Sequence, residues 1–215
     1  MIIVSGGTKG GSGKTTAAIN LTIMRVLAGR DVLLVDADSQ QSSTEFTVLR
    51  NEKRGEAGAG YTSIQLDGRA VRTEVKRLES KYHDIVIDVG GRDTAGQRAA
   101  LTIAHVVVIP VKPRSLDLWA VDNDEKLIEE ARSHNEGLRA YAYINCADPR
   151  GEDNAATAEL LKKSEHLTFI DTPLTYRKAF ANAINAGMSV VEFRPEDEKA
   201  IDEMRALYKR AFSAR

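Results

Sequence analysis

Short apolar runs alternate along this chain with longer segments in which apolar and polar residues recur at helical spacing. Alternation of this kind is typical of a parallel sheet with helices packed on both faces. We therefore expect an α/β fold with one mostly parallel sheet of seven or eight strands. The runs of strand length are Ile2–Val4, Val32–Val35, Ile85–Val89, Val106–Val111 and Tyr141–Ile144, with weaker ones at Ser63–Leu66 and Leu167–Ile170.

Helix ends and connections follow from the residues between these runs. The first helix is expected from about Lys14 to Ala28, and Gly29 stands where a C-terminal cap belongs. The stretch Arg54–Gly60 contains three glycines, which predicts a mobile surface connection. The sequence Asp171-Thr172-Pro173 predicts a turn after the last weak strand.

Composition limits the class of protein. The chain has 215 residues, 42% of them hydrophobic and 28% charged, which suits a single domain spanning residues 1–215. Its 30 basic and 31 acidic residues give a net charge of −1, so any nucleic-acid surface must come from local clustering. The lone Cys146 excludes an internal disulfide and a cysteine-cluster metal site. No apolar stretch approaches the ~20 residues of a membrane-spanning helix, and no charged leader precedes the first strand, so we expect a soluble cytoplasmic protein.

A glycine-rich loop follows the first apolar run directly, and residues 8–16 read Thr-Lys-Gly-Gly-Ser-Gly-Lys-Thr-Thr. Backbone N–H groups in such a loop turn toward phosphate oxygens, and the helix that follows directs its positive end at them. Lys14 can reach the β and γ phosphates, and the Thr15 hydroxyl can ligate Mg²⁺. The candidate nucleotide-binding residues are Lys9, Gly10, Gly11, Ser12, Gly13, Lys14, Thr15 and Thr16.

The position of Lys9 separates two kinds of phosphate loop. A strict P-loop has glycine where Thr8 stands, whereas the variant Lys-Gly-Gly-x-Gly-Lys-Thr matches throughout. That variant is the deviant Walker A motif, and the chain resembles the ParA/MinD family of ATPases from Ile2 to about Phe212. The resemblance implies a P-loop NTPase fold with ATP and Mg²⁺ as ligands, and slow hydrolysis. It also implies that Lys9 crosses a sandwich homodimer to the phosphates bound by the other subunit, where it acts with Lys14 in catalysis.

Two aspartates follow the second strand, at the edge of the sheet where ligands of open α/β folds bind. In the family this segment reads Asp-x-Asp-Pro-Gln, and here Ser39 replaces the proline. By resemblance, Asp36 helps to hold the water shell of Mg²⁺, and Asp38 orients the attacking water. A carboxylate suits that second task because phosphoryl transfer depends on in-line positioning.

A third aspartate, Asp88, ends another strand at the Walker B position, where it is expected to contact Mg²⁺ or its water ligands. The Gly91 N–H can approach the γ-phosphate, although the family usually has proline there. Residues 90–93, Gly-Gly-Arg-Asp, and residues 116–119, Leu-Asp-Leu-Trp, look similar to short ParA-type proteins, which favours that branch over MinD. Arg92 is either a switch residue that contacts cargo or dimer, or the partner of the aspartate that follows it.

Contacts to the adenine base are the next expectation from the resemblance. Asn145 ends a strand at a position where the family often has an asparagine that hydrogen-bonds the base. Pro173, in the loop around Thr172–Tyr176, is the second candidate. A turn packed on the core would have the same residues.

The C-terminal segment is basic and amphipathic. Ile201, Met204, Tyr208 and Phe212 share one face, which permits a helix docked on the sheet, a DNA-contacting helix, or a MinD-like helix on a membrane. Docking is favoured over membrane insertion because the apolar face is modest and the helix begins in an acidic segment. The candidate DNA contacts are Arg177, Lys178, Arg205, Lys209 and Arg210, with Arg215 in the same tail.

Together these features predict a ParA-like partition or positioning ATPase without the N-terminal DNA-binding extension of larger members. The resemblance implies an ATP-bound homodimer on nonspecific DNA of the nucleoid, released when a small ParB-like or cargo-adaptor protein stimulates hydrolysis. Two alternatives remain at this point: a MinD-like membrane-surface ATPase, and a P-loop ligase or synthase acting on a small molecule. A nitrogenase-reductase function is excluded because one cysteine per subunit is too few for its iron–sulfur cluster.

Overall fold

The computed structural model describes residues 1–91, 94–113 and 115–213, and the side chains of all of these except residues 115–119. A seven-stranded sheet in the order β3-β2-β4-β1-β5-β6-β7 forms the centre, and all six pairings between its strands are parallel. The strands are β1 (Ile2–Ser5), β2 (Val32–Ala37), β3 (Thr62–Gln65), β4 (Asp84–Val89), β5 (Val106–Val111), β6 (Arg139–Ala147) and β7 (Thr168–Thr175).

Helices cover both faces of the sheet, and they are α1 (Lys14–Leu27), α2 (Ser42–Arg54), α3 (Ala70–Leu78), α4 (Ala95–Leu101), α5 (Ser115–Arg132), α6 (Asp153–Lys162), α7 (Lys178–Asn185) and α8 (Glu198–Phe212). Helices α3 to α6 bury their apolar residues on one face, and α1, α7 and α8 bury theirs on the other. Successive strand residues point to opposite faces, so Ile2 and Val4 belong to the first core and Ile3 to the second. None of the helices in the described ranges combines the length and apolar character needed to cross a membrane.

The strand order brings the predicted site together. Strand β4 lies between β1 and β2, and the register pairs Asp88 with both Ser5 and Asp36. Because parallel strands end at the same edge, the glycine loop after β1 and the aspartates of β2 and β4 share one crevice. The strand order also reverses at β1, since β2 lies on one side of β1 and β5 on the other.

The predicted turn at Asp171-Thr172-Pro173 is wrong. These residues lie inside β7, which continues along β6 after register shifts on either side of Asn145. Proline can occupy this strand because β7 forms an edge of the sheet, where not every backbone N–H is needed for pairing. The other predicted strands are present, and the glycine-rich stretch after α2 contains a short 3-10 turn at Gly55–Ala57.

Candidate nucleotide site

A cavity of about 690 Å³ opens at the carboxyl edge of the sheet. Three segments line it: the glycine loop, the loop after β2, and the loop after β4. Its lining residues are Gly10, Gly11, Gly13, Lys14, Thr15, Thr16, Asp38, Ser39, Gln40, Ser42, Gly90, Gly91 and Thr94. The fold thus places most of the predicted phosphate-binding residues around one space.

Gly13 shows why this loop cannot carry larger side chains. Its φ of 105° lies in the left-handed region, and a Cβ there would be 2.1 Å from Nδ2 of Asn145. Helix α1 begins at the next residue, with its N-terminus directed at the loop and no acidic side chain in its first turn. The loop and helix therefore present N–H groups and a positive dipole end to an anion.

Lys14 is buried at the base of the cavity. Its Nζ donates a hydrogen bond to the Lys9 carbonyl oxygen at 2.8 Å, and the Ser5 hydroxyl donates to the Lys14 carbonyl at 2.8 Å. Burial lowers the pKa of Lys14, while Asp88, Asp38 and Asp124 act in the opposite direction. A buried ammonium group held by one backbone carbonyl in a glycine-rich loop is well suited to bind phosphate oxygens.

Asp36 is the anchor of the loop after β2. One carboxylate oxygen accepts the Asp38 N–H at 3.1 Å, and the other accepts both the N–H and the hydroxyl of Thr44 at 2.8 Å. Its hydrogen bonds thus tie the end of β2 to the first turn of α2. The direct task of Asp36 in this structure is to position Asp38, and its place in a magnesium shell stays a prediction.

Asp38 faces the cavity, and its side chain is half-buried. One carboxylate oxygen accepts the Gln40 N–H at 3.0 Å, which fixes the direction of the carboxylate. The same oxygen would be 3.1 Å from a Cβ at Gly90, so the loops after β2 and β4 are in contact. Asp38 therefore has a fixed direction at the wall of the cavity, and its role in orienting water stays a prediction.

Asp88 lies below the cavity and is fully buried. The hydroxyls of Thr15 and Ser43 are nearby, but among the described residues neither carboxylate oxygen of Asp88 has a hydrogen bond of normal geometry. Burial raises the pKa of Asp88 to about 7, with Thr15 acting against the shift and Asp36 reinforcing it. Two unsatisfied buried carboxylate oxygens near the Thr15 hydroxyl fit a hydrated divalent cation, which is the group that the family resemblance implies.

Gly91 explains the departure from the usual proline of the family. A Cβ at this position would be 2.4 Å from the Gly10 Cα and 3.1 Å from the Lys14 Nζ. The loop after β4 therefore rests directly on the phosphate loop, and a larger residue would force the two apart.

The structure brings one of the two predicted base contacts to the site. Asn145 donates a hydrogen bond from Nδ2 to the Ser12 carbonyl oxygen at 2.5 Å, so it supports the phosphate loop from behind. Pro173 is exposed on β7 and is not among the lining residues of the cavity.

Sequence reasoning missed Asp124, on α5. Its carboxylate accepts the Thr8 N–H at 2.6 Å and lies 3.8 Å from the position of a Cβ at Gly7. Burial raises its pKa to about 6, although the Thr8 hydrogen bonds and Lys14 act against the shift. The signal was available, because Asp124 lies at helical spacing between Val121 and Leu127, both buried.

The residues predicted to contact DNA differ in whether they form ion pairs or ring contacts with other residues of the chain. Arg177 pairs with Glu203 at 3.0 Å and with Asp197 at 3.7 Å, so its charge is largely balanced. Arg205 pairs with Asp202 at 3.6 Å, and the Arg210 guanidinium lies 5.2 Å from the ring centre of Tyr141. Lys178 and Lys209 are exposed. Arg92 and Arg215 lie outside the described residues.

The amphipathic face of α8 is docked on the sheet. Its buried residues are Ala200, Ile201, Met204, Leu207 and Ala211, while Tyr208 and Phe212 pack at the edge of the same core. Asp197 caps the helix by accepting the Ala200 N–H at 3.0 Å. The docked arrangement is therefore the one that the structure shows.

Comparison with known proteins places this site in a family. The model of the CobQ/CobB/MinD/ParA nucleotide binding domain matches residues 3–190. The chain belongs to this family. The match confirms the resemblance to the ParA/MinD ATPases and the expectation of a nucleotide as ligand.

Relatives in sequence and solved structures with a similar fold align with nearly the whole chain. The maintenance of carboxysome distribution protein A of Halothiobacillus neapolitanus is 30% identical over 199 residues, which are 91% of this chain and 89% of that protein. Protein ParA of Rhizobium radiobacter is 24% identical over 86% of this chain and 83% of its own. A Cyanothece McdA variant solved in complex with ATP has a TM-score of 0.77 at 16% identity, over 99% of this chain and 95% of the other, and confirms the fold.

Proposed function

We propose that this protein is a ParA-like positioning ATPase. In its cycle, Mg²⁺ and ATP bind in the cavity, two subunits close into a sandwich dimer, and the dimer holds nonspecific DNA of the nucleoid. A partner protein then stimulates hydrolysis and releases the subunits. The distribution of a cellular cargo is supported by the relative named for carboxysome distribution and by the relative ParA.

The contrast between two lysines of one loop carries this proposal. Lys14 is buried and directed into the loop, whereas Lys9 is exposed at its rim. These positions support the proposal that Lys14 binds the phosphates of its own subunit and that Lys9 contacts a second subunit. A loop that served only its own nucleotide would not require both.

The residues around the cavity have different roles in the proposed hydrolysis. Bound Mg²⁺-ATP would supply the reactive phosphoryl group. Lys14 and the Gly91 N–H stabilise negative charge on phosphate oxygens, and Asp38 accepts a hydrogen bond from the attacking water. Asp88 and Thr15 would hold the cation and its waters, and Asp36 keeps the catalytic loop in place.

ATP-dependent DNA binding tests the proposal. With ATP and Mg²⁺ we expect the protein to bind duplexes of unrelated sequence, and with ADP we expect it to bind weakly. The logarithm of affinity should fall linearly with that of salt concentration, with a slope of roughly −0.9 per phosphate contacted. Fluorescence anisotropy of labelled duplexes measures both effects.

A matched pair of variants locates the DNA surface. Lys178→Glu with Lys209→Glu should flatten the salt slope and leave ATP binding unchanged. Lys162→Glu with Lys163→Glu reverses the same number of exposed charges at the C-terminal end of α6, across the sheet, and should have little effect. ATP-dependent sedimentation with anionic vesicles and no DNA binding would replace this proposal by a membrane-surface ATPase. If the protein bound neither DNA nor vesicles in an ATP-dependent way, an enzyme that acts on a small molecule would be favoured instead.

A further inference from the structure

A second cavity, of about 770 Å³, lies on the face of the sheet that α3 to α6 cover. We call it the α3–α5 groove, because α3, α4 and the C-terminal half of α5 form its walls. Its lining residues are Arg69, Arg72, Thr73, Ala95, Arg98, Ala99, Thr102, Leu127, Glu130, Ala131, Ser133 and His134. None of them lines the nucleotide cavity.

The groove has an apolar floor and a basic rim. Leu127 and Ala131 are buried at the floor, whereas Arg69, Arg72 and Arg98 are exposed at the rim. Among the lining residues, Glu130 is the only acidic one, and it pairs with Arg98 at 2.5 Å. Three arginines against one carboxylate leave an excess of positive charge on a chain whose net charge is −1.

The walls of the groove restrict the conformation of an occupant. All three are helices, whose backbone groups are already paired, so an extended peptide would find no strand edge to join. A helix satisfies its own backbone and can insert apolar side chains at i, i+3 and i+4. The apolar floor also disfavours a phosphate backbone, which would fill it with charge.

Helix α4 connects the groove with the nucleotide site. Its N-cap residue, Thr94, lines the nucleotide cavity, and its next residue, Ala95, lines the groove. On the inner side of the helix, a Cβ at Gly96 would be 3.5 Å from the carbonyl oxygen of Ala37, the last residue of β2, which lies between Asp36 and Asp38. A molecule that presses on the outer side of this seven-residue helix therefore acts on the loops around the phosphates.

We propose that the α3–α5 groove binds an acidic amphipathic helix of a partner protein, and that its occupation changes the rate of ATP hydrolysis through α4. The apolar face of that helix covers Leu127 and Ala131, and its carboxylates pair with Arg69 and Arg72. The regulatory half of this inference rests on the proposed function, whereas the binding half needs only the groove.

Selection from a displayed library of random 16-residue peptides, with the full chain and ATP as bait, tests the binding half. We expect enriched peptides to carry carboxylates and apolar residues on one helical face. Arg69→Glu with Arg72→Glu should weaken their binding by about tenfold or more, because attraction becomes repulsion at two positions. Lys76→Glu with Arg77→Glu is the matched control, since both residues are exposed on α3 but do not line the groove.

A second variant blocks the groove by size. Ala95 is exposed at the groove, so Ala95→Trp should be tolerated by the fold and should also abolish peptide binding. Addition of an enriched peptide should change the rate of ATP hydrolysis by the unmodified protein at least severalfold. The same addition should not change the rate of hydrolysis by the Arg69→Glu, Arg72→Glu variant.

Other outcomes overturn the inference. A selection that enriches nothing, a basic or neutral consensus, or equal binding to both double variants would each mean that the groove does not recognise an acidic helix. Loss of duplex binding in the Arg69→Glu, Arg72→Glu variant would assign the rim to nucleic acid. Failure of ATP-dependent DNA binding with intact peptide binding would instead refute the proposed function and leave the groove as a binding site.

Discussion

At the scale of single residues, burial decides what identical side chains do. Lys14 is held by a backbone carbonyl inside the loop, and Lys9 is exposed five residues earlier. Asp36 uses both oxygens to organise a loop, whereas both oxygens of Asp88 lack a partner among the described residues. Residue type alone does not separate these roles.

Removal of the buried lysine should abolish most nucleotide affinity. Lys14→Ala deletes a charge-assisted hydrogen bond to phosphate worth about 1.5–3 kcal/mol, so we expect ATP affinity to fall by roughly ten- to a hundredfold. Titration calorimetry with Mg²⁺-ATP measures this loss. Lys9→Ala is the control and should bind ATP nearly as well as the unmodified protein. Equal affinity of the Lys14 variant would show that the nucleotide lies elsewhere.

Asp124 should make stability depend on pH. Its pKa of about 6 in the folded chain exceeds the ordinary 3.8 because burial disfavours the charged form. Between these values the folded state retains a proton that the unfolded chain has lost, so stability falls as pH rises through this window. Asp124→Asn cannot ionise. The free energy of unfolding of this variant, relative to that of the unmodified protein, should therefore rise by up to about 3 kcal/mol between about pH 4 and pH 7.

Urea unfolding across this pH range measures the effect. Asp122→Asn removes the same charge at an exposed position of α5 and should leave the pH dependence as it is. If the Asp124 and Asp122 variants gave parallel curves, the buried carboxylate would not be the titrating group.

At the scale of elements, α2 links the loop after β2 to a distant segment. Its first turn is tied to Asp36 through Thr44, and its last turns hold Arg50, which is buried and donates to both oxygens of Glu192 at 2.8 and 2.9 Å. Arg50 also donates to the carbonyl oxygens of Ala59 and Gly187 at 2.8 Å. One side chain thus connects three parts of the chain.

Arg50→Met should destabilise the fold by about 3–5 kcal/mol, because it leaves two carbonyl oxygens without this donor and removes two hydrogen bonds to Glu192, which keeps those from Ser189 and Arg54. Arg54→Met is the matched control: Arg54 contacts the same Glu192 at 3.4 Å but is 35% exposed, so its loss should cost under about 1 kcal/mol. Chemical denaturation compares the two. Similar losses would mean that burial adds nothing to the Arg50 pair.

At the scale of the whole molecule, charge is distributed over separate surfaces although the sum is near zero. Lys178 and Lys209 are exposed on α7 and α8, and arginines surround the α3–α5 groove across the sheet. The rim of the phosphate loop carries Lys9. Two copies of each surface would be combined in the proposed dimer, which would allow a chain of charge −1 to bind DNA.

Dimer formation should depend on Lys9. Asp38→Ala should slow hydrolysis, so with ATP the variant should accumulate as a dimer in light scattering. Addition of Lys9→Ala should return it to a monomer while calorimetry still shows bound ATP. A persistent dimer of the double variant would mean that the lysine does not bridge the subunits.

The strands and the phosphate loop could be predicted because their signals are local. Continuous apolar runs such as Val106–Val111 have few alternatives to a buried strand, and glycines followed by Lys14 and Thr15 define the loop within nine residues. The exception was Asp171–Pro173, where turn-forming residues lie within a strand because β7 pairs with β6 on both sides of them, at Ile170 and at Leu174.

The sequence by itself determined the parallel α/β fold, the phosphate loop, and the aspartates that end β2 and β4. Only the tertiary structure decided which of the polar side chains already pair with other residues of the chain. The contact of Asp124 with Thr8 joins residues 116 positions apart, and the charge of Arg177 is balanced by Asp197 and Glu203, the second of them 26 positions later. The α3–α5 groove likewise exists only where three helices meet. Hydrogen bonds, ion pairs and cavities depend on distance in space, which the order of residues along the chain does not state.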